Sequence, residues 1–180
     1  AVINTAQVKA GTTVAVVGLG GVGLASVLGA VACGVAWFFL VRAAIDWRRA
    51  GLRRAIPEPE LQNLAGLYLR ELRVDERLTE EVYALGLKWA MAPVSSRIAL
   101  LTVSERSGAR CFEPFDYMVD LLQRQERPIP KEVWPVLLEH ASPEELLGVG
   151  GTAYLRNLLP IAERAFRSAR DSGHPGVVPE

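Results

Sequence analysis

The sequence predicts an all-α protein: one N-terminal transmembrane helix followed by a small irregular helical bundle or an array of helical hairpins. Three observations carry that expectation. Residues 14–41 form a run of 28 without a charged side chain, VAVVGLGGVGLASVLGAVACGVAWFFLV. Arginines at positions 42, 48, 49, 53 and 54 follow it, whereas Lys9 is the only basic residue before it. Beyond residue 57, apolar residues recur mainly at helical spacing between proline and glycine breaks.

The apolar run sets the first boundary. Roughly 20 apolar residues cross a hydrocarbon core about 30 Å thick, so residues 14–41 are long enough to span with tilt. The arginine flank places the C-terminal side on the cytoplasmic, matrix or stromal face. Within the run, Gly21, Ala25, Gly29 and Cys33 repeat every fourth residue and share one helix face, a surface on which a second membrane helix can pack closely. Residues 42–56 then read as a basic juxtamembrane segment in which Arg48, Arg49, Arg53 and Arg54 meet anionic lipid head groups, or form a solvated helix face. Residues 1–13 are an N-terminal segment and 173–180 a flexible tail.

Residues 57–172 read as the helical domain. Pro57 and Pro59 open a helix with Leu61, Leu64, Ala65, Tyr68, Leu69 and Leu72 on one face. Thr79 is placed to cap the next, with Glu80 and Glu81 in its first turn and Val82, Leu85 and Trp89 as its apolar stripe. Ser95 or Ser96 starts a third helix through Ile98, Leu101 and Val103, stopped by Gly108. The alternative, a buried strand over IALLTV, has no evident partner. Pro114 suits the first position of a fourth helix, and Val133, Trp134, Leu137 and Leu138 mark a fifth. Ser142-Pro143-Glu144-Glu145 is a strong helix start, with Gly148, Gly150 and Gly151 as its expected end. A last helix is bent or divided at Pro160.

Composition narrows the function classes. The formal net charge is +0 and the mean hydropathy +0.19, which gives no bulk basic field for nucleic acid. Two cysteines, Cys33 and Cys111, do not make a disulfide framework. His140 and His174 lack metal-ligand spacing, and His140 suits a helix C-terminus. Adjacent acids such as Glu144 and Glu145 point about 100° apart on a helix and make poor acid–base partners. No catalytic residue and no metal ligand is expected.

One motif points elsewhere. Gly18-Leu19-Gly20-Gly21-Val22-Gly23 matches G-x-G-x-x-G, and residues 1–30, AVINTAQVKAGTTVAVVGLGGVGLASVLGA, resemble the start of the cofactor domain of zinc-dependent, medium-chain alcohol dehydrogenases. That resemblance implies a strand over residues 14–17 and a turn in which Gly18, Gly20 and Gly23 admit the pyrophosphate of NAD at a helix N-terminus. It fades by residue 34. The acidic residue that such a site places about 20 positions on, to bind ribose hydroxyls, is missing: that region reads AWFFLVR, and Asp46 comes late and among arginines.

The sequence thus favours a single-pass accessory or assembly subunit of a larger membrane complex, such as one in a mitochondrial inner membrane, without catalysis or cofactor of its own. Its partners would be other membrane subunits on the small-residue face. The alternative is a dinucleotide-binding fragment related to alcohol dehydrogenases. A third reading is a helical scaffold whose apolar helix lies in its own core.

Overall fold

A computed structural model describes residues 36–71, 78–93, 98–106, 108–125 and 127–172. Among them are seven helices and three short strands: α1 (Ala36–Arg49), β1 (Ile56–Pro57), α2 (Glu58–Glu71), α3 (Glu80–Ala90), β2 (Leu101–Arg106), β3 (Ala109–Pro114), α4 (Asp116–Arg124), α5 (Val133–His140), α6 (Pro143–Leu155) and α7 (Leu159–Asp171). Helix α1 is the centre of the molecule. It packs against α2, α3, α4 and β3, and Leu40, Ala43, Ala44 and Trp47 are wholly buried.

That placement corrects the membrane expectation. Among the described residues no helix is long and apolar enough to cross a membrane. The described end of the apolar run, residues 36–41, is the first part of α1, and Phe39, Leu40 and Val41 belong to the protein's own hydrophobic core. The helix then continues through Arg42, Asp46, Arg48 and Arg49, charges that a lipid-facing helix excludes and of which Arg42 and Arg49 here pair with Asp46 inside the fold. The rest of the proposed span, residues 14–35, lies outside the described residues. The inferred single-pass topology, with a domain on the cytoplasmic or matrix side, falls with the span.

Helix α1 ends in a Schellman turn. The Leu52 N–H donates to the Trp47 carbonyl at 3.3 Å and the Gly51 N–H to that of Arg48 at 3.1 Å. Gly51 takes φ 112°, a left-handed conformation open to glycine, and its α-carbon faces the backbone of Gly148 so closely that an added methyl would lie 2.7 Å from the Gly148 carbonyl carbon. Leu52 and Trp47, both fully buried, supply the apolar residues that usually accompany this turn.

The chain is not all-α. Strands β1, β3 and β2 form an antiparallel sheet in that order. Val103 pairs with Phe112 in the β2–β3 hairpin, and Ile56 of β1 faces Phe112 from the other side. Phe112 and Ile56 are buried, so this small sheet closes one side of the core. The expected helix through Ile98, Leu101 and Val103 is therefore a strand, and Gly108, with φ 78°, serves the hairpin turn instead of ending a helix. Pro114 ends β3, and α4 begins two residues later after Phe115.

Several helix starts agree with the sequence. The Thr79 hydroxyl accepts from the Val82 N–H at 3.3 Å, and Ser142 and Glu145 form a reciprocal capping box with Pro143 in the first turn. The buried stripe of α3 is rotated from the expected one: Tyr83, Leu87 and Ala90 point inward, and the Tyr83 hydroxyl donates to Glu58 at 3.0 Å. Helix α6 runs through its glycines to Leu155. Two of them mark close approach: at Gly150 an added methyl would meet the Phe166 ring of α7 at 2.6 Å, and Gly148 faces Gly51, whereas Gly151 is open. Chain division at Pro160 is seen, since that proline lies in the first turn of α7.

Candidate functional site

The described polar centre is built on α1. Arg42, Asp46 and Arg49 lie four and three residues apart, so all three share one helix face. Asp46 is fully buried, and both its oxygens are used. Oδ2 accepts from Arg42 Nε at 2.6 Å and from the Tyr68 hydroxyl at 2.6 Å, while Oδ1 accepts from Arg49 Nη1 at 2.7 Å. Tyr68 comes from α2 and is placed by the same stripe that buries Leu61, Leu64 and Ala65. The remaining donors tie α1 to later segments. Arg42 Nη2 donates to the Pro128 carbonyl at 3.1 Å, Arg49 Nη2 to the Arg127 carbonyl at 2.6 Å, and Arg49 Nε to Gln123 Oε1 at 3.3 Å.

These contacts set the electrostatics. Burial opposes the Arg42 cation, but the charge and hydrogen bond of Asp46 outweigh it and raise the guanidinium pKa. Burial, then the charge of Asp46, pushes the Tyr68 phenol far above its ordinary range. Tyr68 thus stays neutral and donates. An acid whose lone pairs are already directed at three donors is not free to act as a general base, so the centre is a structural lock. Two cations against one carboxylate leave it with a surplus positive charge.

The four arginines expected to meet lipid head groups do not form one patch. Arg49 is only 4% exposed and turned into the centre just described. Arg48 Nη1 donates to the Arg53 carbonyl at 2.7 Å and its other terminal nitrogen lies 3.7 Å from Asp116. The Arg53 residue is exposed. Arg54 stacks over the Trp47 ring at 4.9 Å, pairs with Glu145 at 3.2 Å and donates to the His140 carbonyl. His140 sits in the last turn of α5, as expected, with Nδ1 3.2 Å from Glu60. The remaining candidates, Gly18, Gly20 and Gly23 of the glycine turn and Gly21, Ala25, Gly29 and Cys33 of the packing face, lie outside the described residues.

Sequence reasoning missed Asp46 and Tyr68. The Arg42–Asp46–Arg49 spacing was a usable signal for ion pairs on one helix face; Tyr68, 22 residues on, gave none. Cys111 is a buried free thiol. Among the described residues no group of three His, Cys, Asp or Glu side chains is placed to hold a metal ion.

No family model matches the chain, and no solved structure matches it. Curated relatives match in part. Alcohol dehydrogenase B of Mycobacterium tuberculosis, in two strains, and alcohol dehydrogenase B of Mycobacterium bovis are each 47% identical over 47 residues. The match takes in 26% of this chain and 12% of each relative. Together with the absence, among the described residues, of a helix long and apolar enough to cross a membrane, it overturns the reading as a membrane-anchored accessory subunit and favours the dehydrogenase-related alternative. The conclusion these comparisons support is that part of this chain resembles a short stretch of alcohol dehydrogenases.

Proposed function

We propose that this chain is a dinucleotide-binding fragment related to the alcohol dehydrogenases, joined to a helical body with a small sheet. The observation that carries the proposal is the 47% identity over 47 residues to alcohol dehydrogenase B, alongside the Gly18-x-Gly20-x-x-Gly23 pattern. In such a turn, glycines let backbone N–H groups approach a pyrophosphate closely, and the following helix start favours its negative charge.

The described residues do not complete an NAD site of the usual kind. The first acidic residue after the glycine pattern is Asp46, and its carboxylate is enclosed by Arg42, Arg49 and Tyr68. It is not available to ribose hydroxyls. The sheet among the described residues is antiparallel, whereas the fold that holds dinucleotides is built on parallel strands. Binding therefore rests on the pyrophosphate and is weak. It also lacks the acid that repels a 2′-phosphate, so NADH and NADPH bind alike. Because the chain matches only 12% of its relatives' length, the proposal covers binding and not dehydrogenation.

The test is titration of the chain with NADH and NADPH, followed by quenching of tryptophan fluorescence. Saturable quenching by both, lost in Gly20→Val and Gly23→Val variants whose circular dichroism matches wild type, is the expected outcome. Absence of saturation, or equal binding by both variants, overturns the reading.

A further inference from the structure

Beside the buried lock lies a groove of about 680 Å³, within the size range of small-molecule sites. Its polar wall brings together residues far apart in sequence: Arg49 from α1, Gln123 from α4, Lys131 before α5, and Thr152 and Arg156 from the end of α6. Among the described residues three cations line it and no carboxylate does. The Gln123 carboxamide oxygen accepts from Arg49 Nε at 3.3 Å and from Arg156 Nη2 at 3.2 Å, so one neutral acceptor holds two guanidinium groups side by side.

Like charges gathered in this way call for an anion. Arg49 already shares Asp46 with Arg42, and Arg156 has no carboxylate in ion-pair range among the described residues. Burial and then the nearby Arg49 charge lower the Arg156 pKa, against the opposing pull of Asp46. The Arg156 cation is thus held at an electrostatic cost that a bound oxyanion relieves. A guanidinium fork such as that of Arg156 matches the geometry of phosphate and carboxylate oxygens, while Arg49, its side chain fully buried, adds only its charge. The rest of the lining is apolar, made by Ile129, Leu155 and Leu158 with Pro128 and Pro130. Leu155 is 86% exposed at this rim, a position that an apolar ligand body would cover.

We infer that this groove binds a small organic phosphate, with the phosphate on Arg156, Lys131 adding charge at the rim, the buried Arg49 adding its field from behind without touching the ligand, and the apolar body against Ile129, Leu155 and Leu158. The site is separate from the glycine pattern and does not depend on it. Arg156 is the residue to change, because among the described residues its side chain bonds only to Gln123, while Arg49 belongs to the core.

Isothermal titration with phenyl phosphate in low-salt, phosphate-free buffer tests the assignment. Wild type is expected to bind saturably, more tightly than it binds inorganic phosphate, and less tightly as salt rises. Arg156→Gln should weaken binding at least about tenfold, the scale of a lost charge-assisted hydrogen bond. Lys131→Gln should weaken it about threefold, as for an exposed charge. Leu155→Glu, which sets a carboxylate at the rim without touching the core, should also abolish binding. Arg53→Gln and Gly20→Val should leave it unchanged, which separates this groove from the dinucleotide proposal. Equal affinity of Arg156→Gln and wild type overturns the inference. So does Arg156-dependent sedimentation with phosphatidylglycerol vesicles in the absence of phenyl phosphate binding, since the phosphate recognised would then be a lipid head group.

Discussion

Helix α1 and the α6–α7 hairpin are both packed tightly, but by opposite means. On α1, closeness comes from charge: Asp46 draws Arg42, Arg49 and Tyr68 into a buried centre and fixes α1 to α2 and to the segment before α5. In the hairpin, closeness comes from missing side-chain volume. Gly150 leaves room for the Phe166 ring, and Ala153, Ala162, Ala165 and Ala169 are buried small residues. The two regions meet where Gly51, just past α1, lies against Gly148 of α6. A polar lock fails as a unit when one member is removed, because the others stay buried without partners. A volume-limited contact fails locally and can be restored by removing volume on the other side.

The largest expected effect breaks the first of these. Asp46→Ala leaves two guanidinium groups and a phenol facing a buried site without their acceptor, and should cost about 3–5 kcal/mol. That is a large part of the 5–15 kcal/mol typical of a whole domain, so the urea midpoint should fall sharply. A midpoint close to wild type would mean that the carboxylate does not hold α1 in place. Tyr68 would then be an ordinary core aromatic.

The second effect is smaller and has a conditional sign. Alanine normally stabilises a helix relative to glycine by roughly 0.5–1 kcal/mol. Gly150→Ala should instead destabilise by about 1 kcal/mol, since the new methyl must displace the Phe166 ring, which is 38% exposed and can swing outward. In a Phe166→Ala background the obstacle is gone, and the same Gly150→Ala change should become stabilising. Thermal unfolding of the four proteins gives the coupling directly. A Gly150→Ala effect of the same sign in both backgrounds would remove volume as the basis of this packing.

The two regions also differ in how much of them could be read beforehand. Helix starts fixed by local chemistry were legible: Thr79 with Val82, and Ser142 with Pro143 and Glu145, need only residues within one turn. Gly150 was misread as a stop because its role is set by Phe166, 16 residues away. The β2–β3 hairpin was missed for a similar reason. Val103 is 44% exposed on an edge strand, and its partner strand contains Arg110 and Glu113, so neither half shows a clear apolar alternation. The membrane expectation failed at the described end of the run, where Phe39, Leu40 and Val41 belong to the protein's own core, because apolar character does not by itself distinguish lipid from a protein core. What distinguished them was further along, where Arg42, Asp46 and Arg49 continue the same helix at ion-pair spacing. The groove beside Arg49 draws on α1, α4, α6 and the segment before α5, a convergence that only the tertiary fold creates.

The smallest effect sharpens the comparison at the capping box that opens α6. Glu145 accepts from the Ser142 N–H at 3.0 Å and from Arg54 Nε at 3.2 Å. Burial raises its pKa, but the backbone hydrogen bond and the Arg54 charge outweigh that and leave it below the ordinary glutamate value. In the unfolded chain the carboxyl returns to about 4.3. A folded value below the unfolded one stabilises the protein fully above the unfolded value, and that contribution is lost as pH falls through the folded one. Glu145→Gln keeps an oxygen for the Ser142 N–H and removes only the charge, so it should cost a few tenths of a kcal/mol at neutral pH, near the low end for a cap. Its melting temperature should also fall less steeply than that of wild type below about pH 4.3. Parallel melting curves for the two proteins through that range would show that Arg54, unlike Arg42 and Arg49, takes its hold on the fold from the Trp47 ring and the His140 carbonyl and not from charge.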